Sequence, residues 1–493
     1  MKKYYITTAI PYANAKPHIG TAMDYLYGDI LLRYQTETLK NLALLSIGTD
    51  EHGAKVEQKA RENNMTPQEW TDNLQNDFNE MREKLNIDFA NIVNVRTTDA
   101  DHIRRVQEIW RKLDAAGAIY KSTYEGWYCV GCENFVTETE ARELNYICPD
   151  HQRKLEKLSE ENYYLKVSKF TEQIREFAKN NIVPNWRGKE ILELIKNGAK
   201  DVSISRPREK LNWGIPVPDD ESQVMYVWVD ALSNYITAIG YPDDDNYAEF
   251  WPADVEIVGK DILRFHAIIW PAMLIALDLE LPRKLLVHGF INVSGAKMSK
   301  SIGNVVSPLE IISNYGCDAF RYYFSRHIST FEDGDFTWKK FEAAYNGELA
   351  NDLGNLISRS ANMLKKYEIL RNEKVNSDDF AAKIREKYNA NIAEFELNSA
   401  LENAWEFIQK QNQFIEENQP WILAKSDKEK LEKIMQILWQ NILIIADLLK
   451  PFLPETSEAI REIFDLEIGQ KITENAQILF PKKYLHTEEP KRK

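Results

Sequence analysis

The chain of 493 residues is long enough for about two to four domains, and its 44% hydrophobic content with 12 Trp supports a sizeable core. A formal net charge of −14 argues against broad, non-specific coating of nucleic acid, although it leaves room for a local basic track. No run of roughly eighteen apolar residues occurs, and the first strand begins almost at the N-terminus. We therefore expect no membrane span, no secretory or transit peptide, and a cytoplasmic protein.

The chain opens with a predicted strand that leads into a helix. Residues 4–10 are β-branched and aromatic, and Pro11 ends them. Apolar residues then recur at helical spacing, at Ile19, Ala22, Met23, Leu26, Ile30 and Tyr34. His18 and Gly20 therefore lie at a helix N-terminus, where backbone N–H groups, an open glycine backbone and an imidazole donor suit a phosphate. An isolated His-x-Gly pattern is more often an ordinary loop, so this interpretation depends on support from elsewhere in the chain.

A second strand is predicted at residues 42–47, ending in the segment GTDEHG. Strand, helix and strand in this order predict a right-handed βαβ crossover and a parallel sheet, with ligands bound at the carboxyl ends of the strands. Asp50 should then lie beside His18. Helical patterns at residues 67–85 and 101–116 predict crossover helices.

From residue 117 to about 224 the composition changes to aromatic strands and cysteines, which indicates an insertion that interrupts the sheet. Cys129 and Cys132, followed by Cys148 and His151, supply four soft or borderline ligands at the spacing of a zinc knuckle. We expect one structural Zn ion per chain, because four protein ligands leave no position for a catalytic water. The alternative is reduced thiols without a metal, beside a surface histidine.

The sheet is predicted to resume after the insertion. The segment YVWVDALSNYI at residues 226–236 is interpreted as a strand that breaks into a helix, and residues 255–258 as a further buried strand. The helix that follows places Ile262 and His266 on one face. Residues 285–291 form the next predicted strand.

That strand is followed by SGAKMSKSIGN, which places Lys297 and Lys300 on a loop rich in Gly and Ser. Two lysines on a mobile loop suit a polyphosphate whose charge shifts during a reaction, although a basic loop alone is usually solvated surface. Together, HIGT at residues 18–21 and KMSKS at residues 297–301 resemble the paired HIGH and KMSKS motifs of the class I aminoacyl-tRNA synthetases. This pair of motifs is highly specific.

Beyond residue 338 the pattern is helical as far as about residue 463, with long amphipathic segments at residues 341–367, 380–417 and 427–449. This pattern predicts a helical bundle. The polar end of the chain is predicted to be flexible.

Further segments narrow the resemblance to the methionyl-tRNA synthetase family and extend it over nearly the whole chain. AIPYAN is similar to that family's opening loop, YVWVDALSNYI to its amino-acid pocket, and KDILRFHAIIWPAML to the helix that closes the pocket. The resemblance implies that Asp50 holds the ammonium group of methionine, and that the side chain is surrounded by Ala9, Ile10, Tyr12, Trp228, Ala231, Tyr235, Ile262 and His266. Aromatic walls attract a polarizable thioether, and the Tyr235 hydroxyl is a candidate weak donor to sulfur. The alternatives are core packing for the aromatic residues and a turn for Asp50.

The resemblance also implies an ATP site built from His18, Gly20, Thr21, Lys297, Ser299 and Lys300. Within it, His18, Lys297 and Lys300 would act in catalysis, and Mg would accompany ATP. Thr21 departs from the family pattern, which usually has a second histidine there, and a hydroxyl can bond a phosphate oxygen but carries no positive charge. Leu232 stands where some family members have proline.

Two stretches of the predicted bundle resemble the family's anticodon-binding residues. Asn355 and Arg359 are four residues apart, so both emerge from one helix face, and Trp421 follows a proline at a helix start. The resemblance implies that all three meet the anticodon of tRNA(Met), with Trp421 stacking on an unpaired base. The alternative is a capped helix and a packed Trp.

The expected activity is that of a methionine–tRNA ligase. The enzyme would activate L-methionine with ATP to methionyl-AMP, release pyrophosphate, and transfer methionine to the 3′ adenosine of tRNA(Met). The alternatives are a class I synthetase for another amino acid, a plain nucleotidyltransferase, and a tRNA-binding relative without catalysis. The chain has no room for the large editing domain of the isoleucine, valine and leucine enzymes, and we expect a monomer.

The expected fold class is α/β, a Rossmann-like parallel-sheet catalytic domain with a zinc-knuckle insertion and a C-terminal all-α bundle. The expected division of the chain assigns residues 1–116 and 225–284 to the two halves of the catalytic domain, and 117–224 to the insertion. Residues 285–345 would carry the KMSKS loop and a stem-contact region, residues 346–485 the helical anticodon-binding domain, and residues 486–493 a flexible tail.

Overall fold

The computed structural model describes residues 2–129, 134–136, 138–149, 152–297, 305–372, 379–474 and 478–486, and within residues 121–160 and at residue 297 some side chains are not described. None of the helices in this part of the chain is both long enough and apolar enough for a membrane span. The predicted zinc ligands Cys132 and His151, and the predicted loop residues Ser299 and Lys300, lie outside the described residues.

The centre of the molecule is a six-stranded sheet in which all neighbouring strands are parallel, as predicted. Its spatial order is Ile92–Arg96, Leu42–Thr49, Lys3–Thr8, Val255–Gly259, Leu285–His288 and Ile182–Val183. The first half of the chain builds outward from Lys3–Thr8 in one direction, and the second half builds outward from Val255–Gly259 in the other. The order reverses between these two strands, and crevices outside the carboxyl ends of the strands at such a point are where ligands bind in open α/β sheets.

Helices follow the first strands of the sheet. The predicted ones are Ile19–Arg33, Pro67–Lys84 and Ala100–Ala115, and the structure adds Ala54–Glu62, where no helix is predicted. The helix Ile19–Arg33 continues into a π-helical turn at Tyr34–Thr38. The helix Pro67–Lys84 begins where it does because Thr66 and Glu69 form a reciprocal capping box and Pro67 occupies the first turn. Its apolar face, which includes Phe78 and Met81, packs into the main hydrophobic core.

The inserted segment forms two small antiparallel sheets. One has the order Asn134–Val136, Ile119–Cys129, Glu156–Leu165 and Val202–Ser203, and the other has the order Pro216–Val217, Asp220–Met225 and Ser205–Pro207. Its helices are Glu138–Glu143, Thr171–Asn180 and Asn185–Leu194. The strand Ile182–Val183 lies between the last two helices and forms the edge of the central sheet, beside Leu285 and Leu286. The segment predicted to interrupt the sheet therefore also contributes a strand to it.

The second half of the sheet domain differs locally from the prediction. Residues 226–236 are helical: the helix Val227–Thr237 starts directly after Tyr226, and the preceding strand, Asp220–Met225, belongs to the insertion. The β-branched and aromatic run imitates a strand, but both faces of this segment are buried, so the run fits a fully buried helix equally well. The predicted strand 285–291 likewise ends at His288, and Ile291–Val293 joins a separate small sheet with Ala296–Lys297 and Gly334–Phe336.

The remaining helices of this half are Asp245–Phe250, a π-helical turn Phe265–Ile269 that continues into Trp270–Ala276, and then Pro308–Tyr315 and Cys317–Arg326. The C-terminal part is a helical bundle, as predicted. It consists of Trp338–Ala344, a π-helical segment Tyr345–Gly354, and the helices Asn355–Lys366, Asp379–Ala393, Leu397–Asn418, Pro420–Ser426, Lys428–Leu449 and Pro454–Phe464.

Arg321 ties the bundle to the first helix of the sheet domain. It is fully buried, donates to the Asp29 carboxylate over 2.7 Å, and donates to the backbone carbonyls of Phe452 and Leu85 over 2.7 and 3.1 Å. Removing one partner of such a buried pair typically costs about 3–5 kcal/mol, because the other charge is left without compensation. The orientation of the bundle is therefore fixed against the helix that begins after His18.

The end of the described chain packs onto the bundle's first helix. The His486 ring stacks on Trp338 with centroids 3.7 Å apart, and the backbone N–H groups of Leu485 and His486 donate to the Glu342 carboxylate. Of the predicted flexible tail, residues 486–493, only His486 is described, and it is packed rather than frayed. The rest of that prediction lies outside the described residues.

Candidate active site

A cavity of about 1060 Å³ opens where the strand order of the central sheet reverses. All nine residues predicted to bind methionine line it: Ala9, Ile10, Tyr12, Asp50, Trp228, Ala231, Tyr235, Ile262 and His266. His18, Gly20 and Thr21 line the same cavity. Four separate stretches of sequence thus converge on one site, with the predicted phosphate-binding residues beside the predicted amino-acid pocket.

His18 is the N-cap of the helix Ile19–Arg33. Its Nδ1 accepts hydrogen bonds from the backbone N–H groups of Gly20 and Thr21, over 3.0 and 3.3 Å. An imidazole can accept at Nδ1 only when the ring is neutral with its proton on Nε2. His18 therefore offers the cavity an N–H donor rather than a positive charge.

This arrangement changes the predicted phosphate site. The backbone N–H groups of Gly20 and Thr21 were expected to point at phosphate, but the His18 ring accepts from both, and the Ile19 N–H donates to the Val306 carbonyl over 3.4 Å. The histidine satisfies the orphan donors of its own helix. The side-chain donors at this point of the cavity wall are the His18 Nε2–H and the Thr21 hydroxyl.

Asp50 is held in place by its backbone. Its carbonyl accepts from the Ala13 N–H over 2.7 Å and its N–H donates to the Pro11 carbonyl over 2.9 Å, forming a parallel bridge with the opening loop. The Tyr12 side chain lies against Gly53, where a Cβ atom would come within 2.4 Å of the hydroxyl oxygen. Gly53 has a φ of +107°, so a residue without a side chain is required both by its backbone and by Tyr12.

Aromatic side chains form one wall of the pocket. Trp228 stacks on Phe265 with ring centroids 3.8 Å apart and an interplanar angle of 7°, and it meets the edge of His266 at 6.0 Å. The helix Val227–Thr237 brings Ala231 and Tyr235 to the same side as Trp228, since residues three and four apart share a helix face. The result is a flat apolar slot suited to an unbranched, polarizable side chain.

Tyr235 and His266 form a fixed hydrogen-bonded pair at the back of this slot. His266 Nδ1 lies 3.0 Å from the Ile262 carbonyl, which can only accept, so the ring proton is on Nδ1. Burial lowers the pKa of His266 to about 4, so the ring is neutral at pH 7 and Nε2 accepts from the Tyr235 hydroxyl over 2.6 Å. The Tyr235 proton is therefore committed to His266, and the expectation that this hydroxyl donates to a methionine sulfur is wrong for this arrangement.

Sequence reasoning missed a pair of polar residues on the phosphate side of the cavity. His288 Nε2 lies 3.0 Å from Asp24 Oδ1, and both residues line the cavity. Burial raises the pKa of Asp24. Burial alone would lower the pKa of His288, but the neighbouring Asp24 carboxylate outweighs burial, so the pKa of His288 is raised. Asp24 follows Gly20 by four residues and Thr21 by three, so helical spacing is a usable signal for it. His288 ends a distant strand, and its position in the sequence carries no such signal.

The two predicted loop lysines lie mostly beyond the described residues. Lys297 ends the short strand Ala296–Lys297, which pairs with Ile291–Val293, and Ile291 lines the cavity. Neither the Lys297 side chain nor Ser299 and Lys300 is described.

Two of the four predicted zinc ligands are described. Cys129 ends the strand Ile119–Cys129, and Cys148 lies in a tight reversal in which its N–H donates to the Arg153 carbonyl over 2.8 Å. Both thiols are buried and belong to one small cluster with Leu155. Two buried thiols in one cluster fit the soft donor set of a zinc knuckle.

The predicted anticodon residues meet at one end of the helical bundle. Asn355 and Arg359 line a polar groove of about 430 Å³, and the Arg359 guanidinium lies 5.2 Å from the centroid of the Trp421 ring. Trp421 is 37% exposed, which is high for a tryptophan. Arg359 also pairs with Glu416, whose side chain is 61% exposed, and pairs that are this exposed contribute about 0–1 kcal/mol. The pair can therefore open for a ligand at little cost.

Comparison with known proteins agrees with this geometry. A family model described as "tRNA synthetases class I (M)" matches residues 4–158 and 151–361, and one described as "Anticodon binding domain of methionyl tRNA ligase" matches residues 366–481. The methionine–tRNA ligase of Clostridium acetobutylicum is 41% identical over 486 residues, which are 95% of this chain and 74% of that protein. That of Thermotoga maritima is 38% identical over 496 residues, covering 97% and 78%.

Solved structures agree as well. The crystal structure of the Mycobacterium tuberculosis methionyl-tRNA synthetase bound by methionyl-adenylate matches with a TM-score of 0.87 and 33% identity, over 97% of this chain and 99% of that one. The fold is that of a class I aminoacyl-tRNA synthetase. Within that class, the chain belongs to the methionine–tRNA ligase family. The predicted fold class, family and enzyme class are confirmed.

Proposed function

We propose that the chain activates L-methionine with Mg-ATP to methionyl-AMP, releases pyrophosphate, and transfers the methionyl group to the 3′ adenosine of tRNA(Met). One observation carries this assignment: the nine residues expected to bind methionine come from four distant stretches and line one cavity together with His18. Convergence of this kind is not expected of residues that merely pack the core.

Methionine recognition would combine shape with one charge. The side chain enters the slot beside Trp228, while the neutral Tyr235–His266 pair closes its end without exposing a charge. Asp50, fixed by its backbone bridge, receives the ammonium group. A slot of this type discriminates by about 1–3 kcal/mol for each methylene that is missing or added.

The chemistry would then be an in-line attack of the methionine carboxylate on the α-phosphorus of ATP. Transfer of this kind needs positioning and charge stabilisation more than covalent catalysis. The Nε2–H of His18 donates to a phosphate oxygen, the Gly20 backbone allows close approach, and the Thr21 hydroxyl contacts the same region. Lys297, Ser299 and Lys300 would contact the departing pyrophosphate.

The test of this function is ATP–pyrophosphate exchange across all twenty amino acids. Methionine should be the substrate with by far the highest kcat/KM. Turnover of leucine or cysteine in its place would contradict the specificity, and the absence of exchange with every amino acid would contradict the activity. The predicted cytoplasmic location and monomeric state remain predictions, as does the division of the chain into domains.

Replacing Arg359 with alanine should weaken tRNA(Met) charging while sparing methionine activation. Loss of its base contact removes about 1–3 kcal/mol, so KM for tRNA should rise about 10- to 100-fold. ATP–pyrophosphate exchange should change less than about twofold, because the groove is separate from the active-site cavity. The matched control is Arg385→Ala, which removes another exposed arginine of the bundle that pairs with a carboxylate. An equal effect in both variants would remove Arg359 from anticodon binding.

We also propose that Cys129, Cys132, Cys148 and His151 hold one structural zinc ion. Metal analysis of the purified protein should find about one zinc per chain. Cys148→Ser should release most of it and lower Tm, because metal binding and local folding are coupled. Cys317→Ser is the matched control, since Cys317 is buried outside the cluster of Cys129 and Cys148. Full zinc content in Cys148→Ser would contradict this ligand set.

A further inference from the structure

A buried carboxylate behind the pocket wall binds two histidines. His52 Nδ1 lies 2.7 Å from Asp230 Oδ2, and His102 Nε2 lies 2.8 Å from Asp230 Oδ1. Asp230, His52 and His102 are 1%, 5% and 3% exposed, and they lie behind the residues that line the cavity. The unit therefore acts on a ligand only through its neighbours.

The protonation of this unit follows from its contacts. Both histidines face carboxylate oxygens, so each donates, His52 from Nδ1 and His102 from Nε2. The Thr237 hydroxyl lies 2.7 Å from His102 Nδ1, so both ring nitrogens of His102 have a polar partner. Burial by itself would raise the pKa of Asp230, but the two histidines outweigh burial and hold it below its ordinary value, so the carboxylate stays charged.

Each member of the unit comes from a different element. His52 follows Asp50 by two residues, and Asp230 lies in the first turn of the helix Val227–Thr237, between Trp228 and Ala231. His102 lies on the helix Ala100–Ala115, which packs against that same helix. The carboxylate of Asp230 thus joins the loop that carries the ammonium partner to the helix that carries the aromatic slot.

The loop has a second attachment on its other side. Arg96 donates to both oxygens of Glu51, over 2.8 and 2.9 Å, and Trp213 Nε1 donates to the Glu51 carbonyl over 2.6 Å. The His52 ring also packs on Trp213 at 5.3 Å. Arg96 thus holds Glu51 on one side of the loop, and Asp230 of the pocket helix holds His52 on the other.

We infer that Asp230, His52 and His102 form a positioning unit for methionine recognition, which fixes the spacing between the Asp50 subsite and the Trp228 slot. This inference rests on the proposed function. The unit should control KM for methionine rather than KM for ATP or the rate of the chemical step, because it touches the two halves of the amino-acid subsite and lies away from His18.

The geometry prescribes which substitutions keep the donors. Asparagine can place an amide N–H close to the position of Nδ1, and glutamine close to that of Nε2. His52→Asn and His102→Gln should therefore retain the bonds to Asp230, whereas His52→Leu and His102→Leu delete them. His327→Leu is the control, because His327 pairs with Glu348 on another helix and neither residue lines the cavity.

The experiment measures KM for methionine, KM for ATP and kcat in ATP–pyrophosphate exchange, with Tm for each variant. In both leucine variants KM for methionine should rise about 10- to 100-fold, as expected for loss of a buried charged hydrogen bond, with ATP KM and kcat within threefold. His52→Asn, His102→Gln and His327→Leu should stay within about threefold of the parent in every constant.

Three outcomes would overturn the inference: an unchanged methionine KM in the leucine variants, a parallel loss in all constants, or no rescue by the amide variants. If a leucine variant does not fold, Asp230→Asn, which keeps the side-chain volume, carries the same test. Failure of the proposed function is distinguishable, since the parent enzyme would then show no methionine-dependent exchange at all.

Discussion

Replacing His18 with asparagine is expected to lower the rate of methionyl-AMP formation by about 10²- to 10³-fold, the usual loss when one donor to a developing charge is removed. The substitution separates two roles of this residue. An asparagine oxygen can accept from the N–H groups of Gly20 and Thr21 as His18 Nδ1 does, so the helix remains capped. It has no group at the position of Nε2, so the donor to phosphate is lost.

His18→Ala is the comparison that shows the difference. Alanine removes both the cap and the donor, so it should show the same rate loss together with a decrease of about 1 kcal/mol in the free energy of unfolding. Pre-steady-state formation of methionyl-AMP and thermal unfolding of both variants are the measurements. If His18→Asn kept a wild-type rate, the histidine would be a structural cap only.

Long periodic segments and local motifs were predictable from the sequence, for a physical reason. The helices of the bundle bury apolar residues at helical spacing, so their hydrophobic period appears in the sequence. The predicted segment 427–449 differs by one residue from the observed Lys428–Leu449. The site residues were found because they lie in long family-like segments. In contrast, Ile182–Val183 is a strand of two residues, and its place in the sheet depends on Leu285 rather than on any pattern of its own.

Features that depend on contacts between distant residues were missed. The direction of the Tyr235 proton is set by His266, which in turn is fixed by the Ile262 carbonyl one helical turn earlier. The His18 ring accepts from its own helix instead of leaving the backbone donors to a ligand. Both are choices of tautomer and hydrogen-bond partner, which residue types permit but do not specify. A sequence can therefore name the residues of this site more reliably than it can assign their protons.

Replacing Asp50 with asparagine is expected to raise KM for methionine by about 150- to 5,000-fold, because breaking a buried charge pair costs roughly 3–5 kcal/mol. The fold should be retained, since Asp50 contributes to it through backbone bonds to Ala13 and Pro11, which an amide side chain leaves intact. KM for ATP should stay within about threefold, because the bonds that order the His18 cap do not involve Asp50.

A methionine analogue without the amino group, 4-(methylthio)butanoate, provides the internal control for this prediction. The analogue cannot form the ion pair, so it should inhibit the parent enzyme only weakly. Its inhibition constant should be nearly the same for Asp50→Asn. Methionine should lose affinity in the variant until it binds about as weakly as the analogue. If the variant lost affinity for both ligands equally, Asp50 would shape the pocket rather than hold the ammonium group, and the role assigned to it would be wrong.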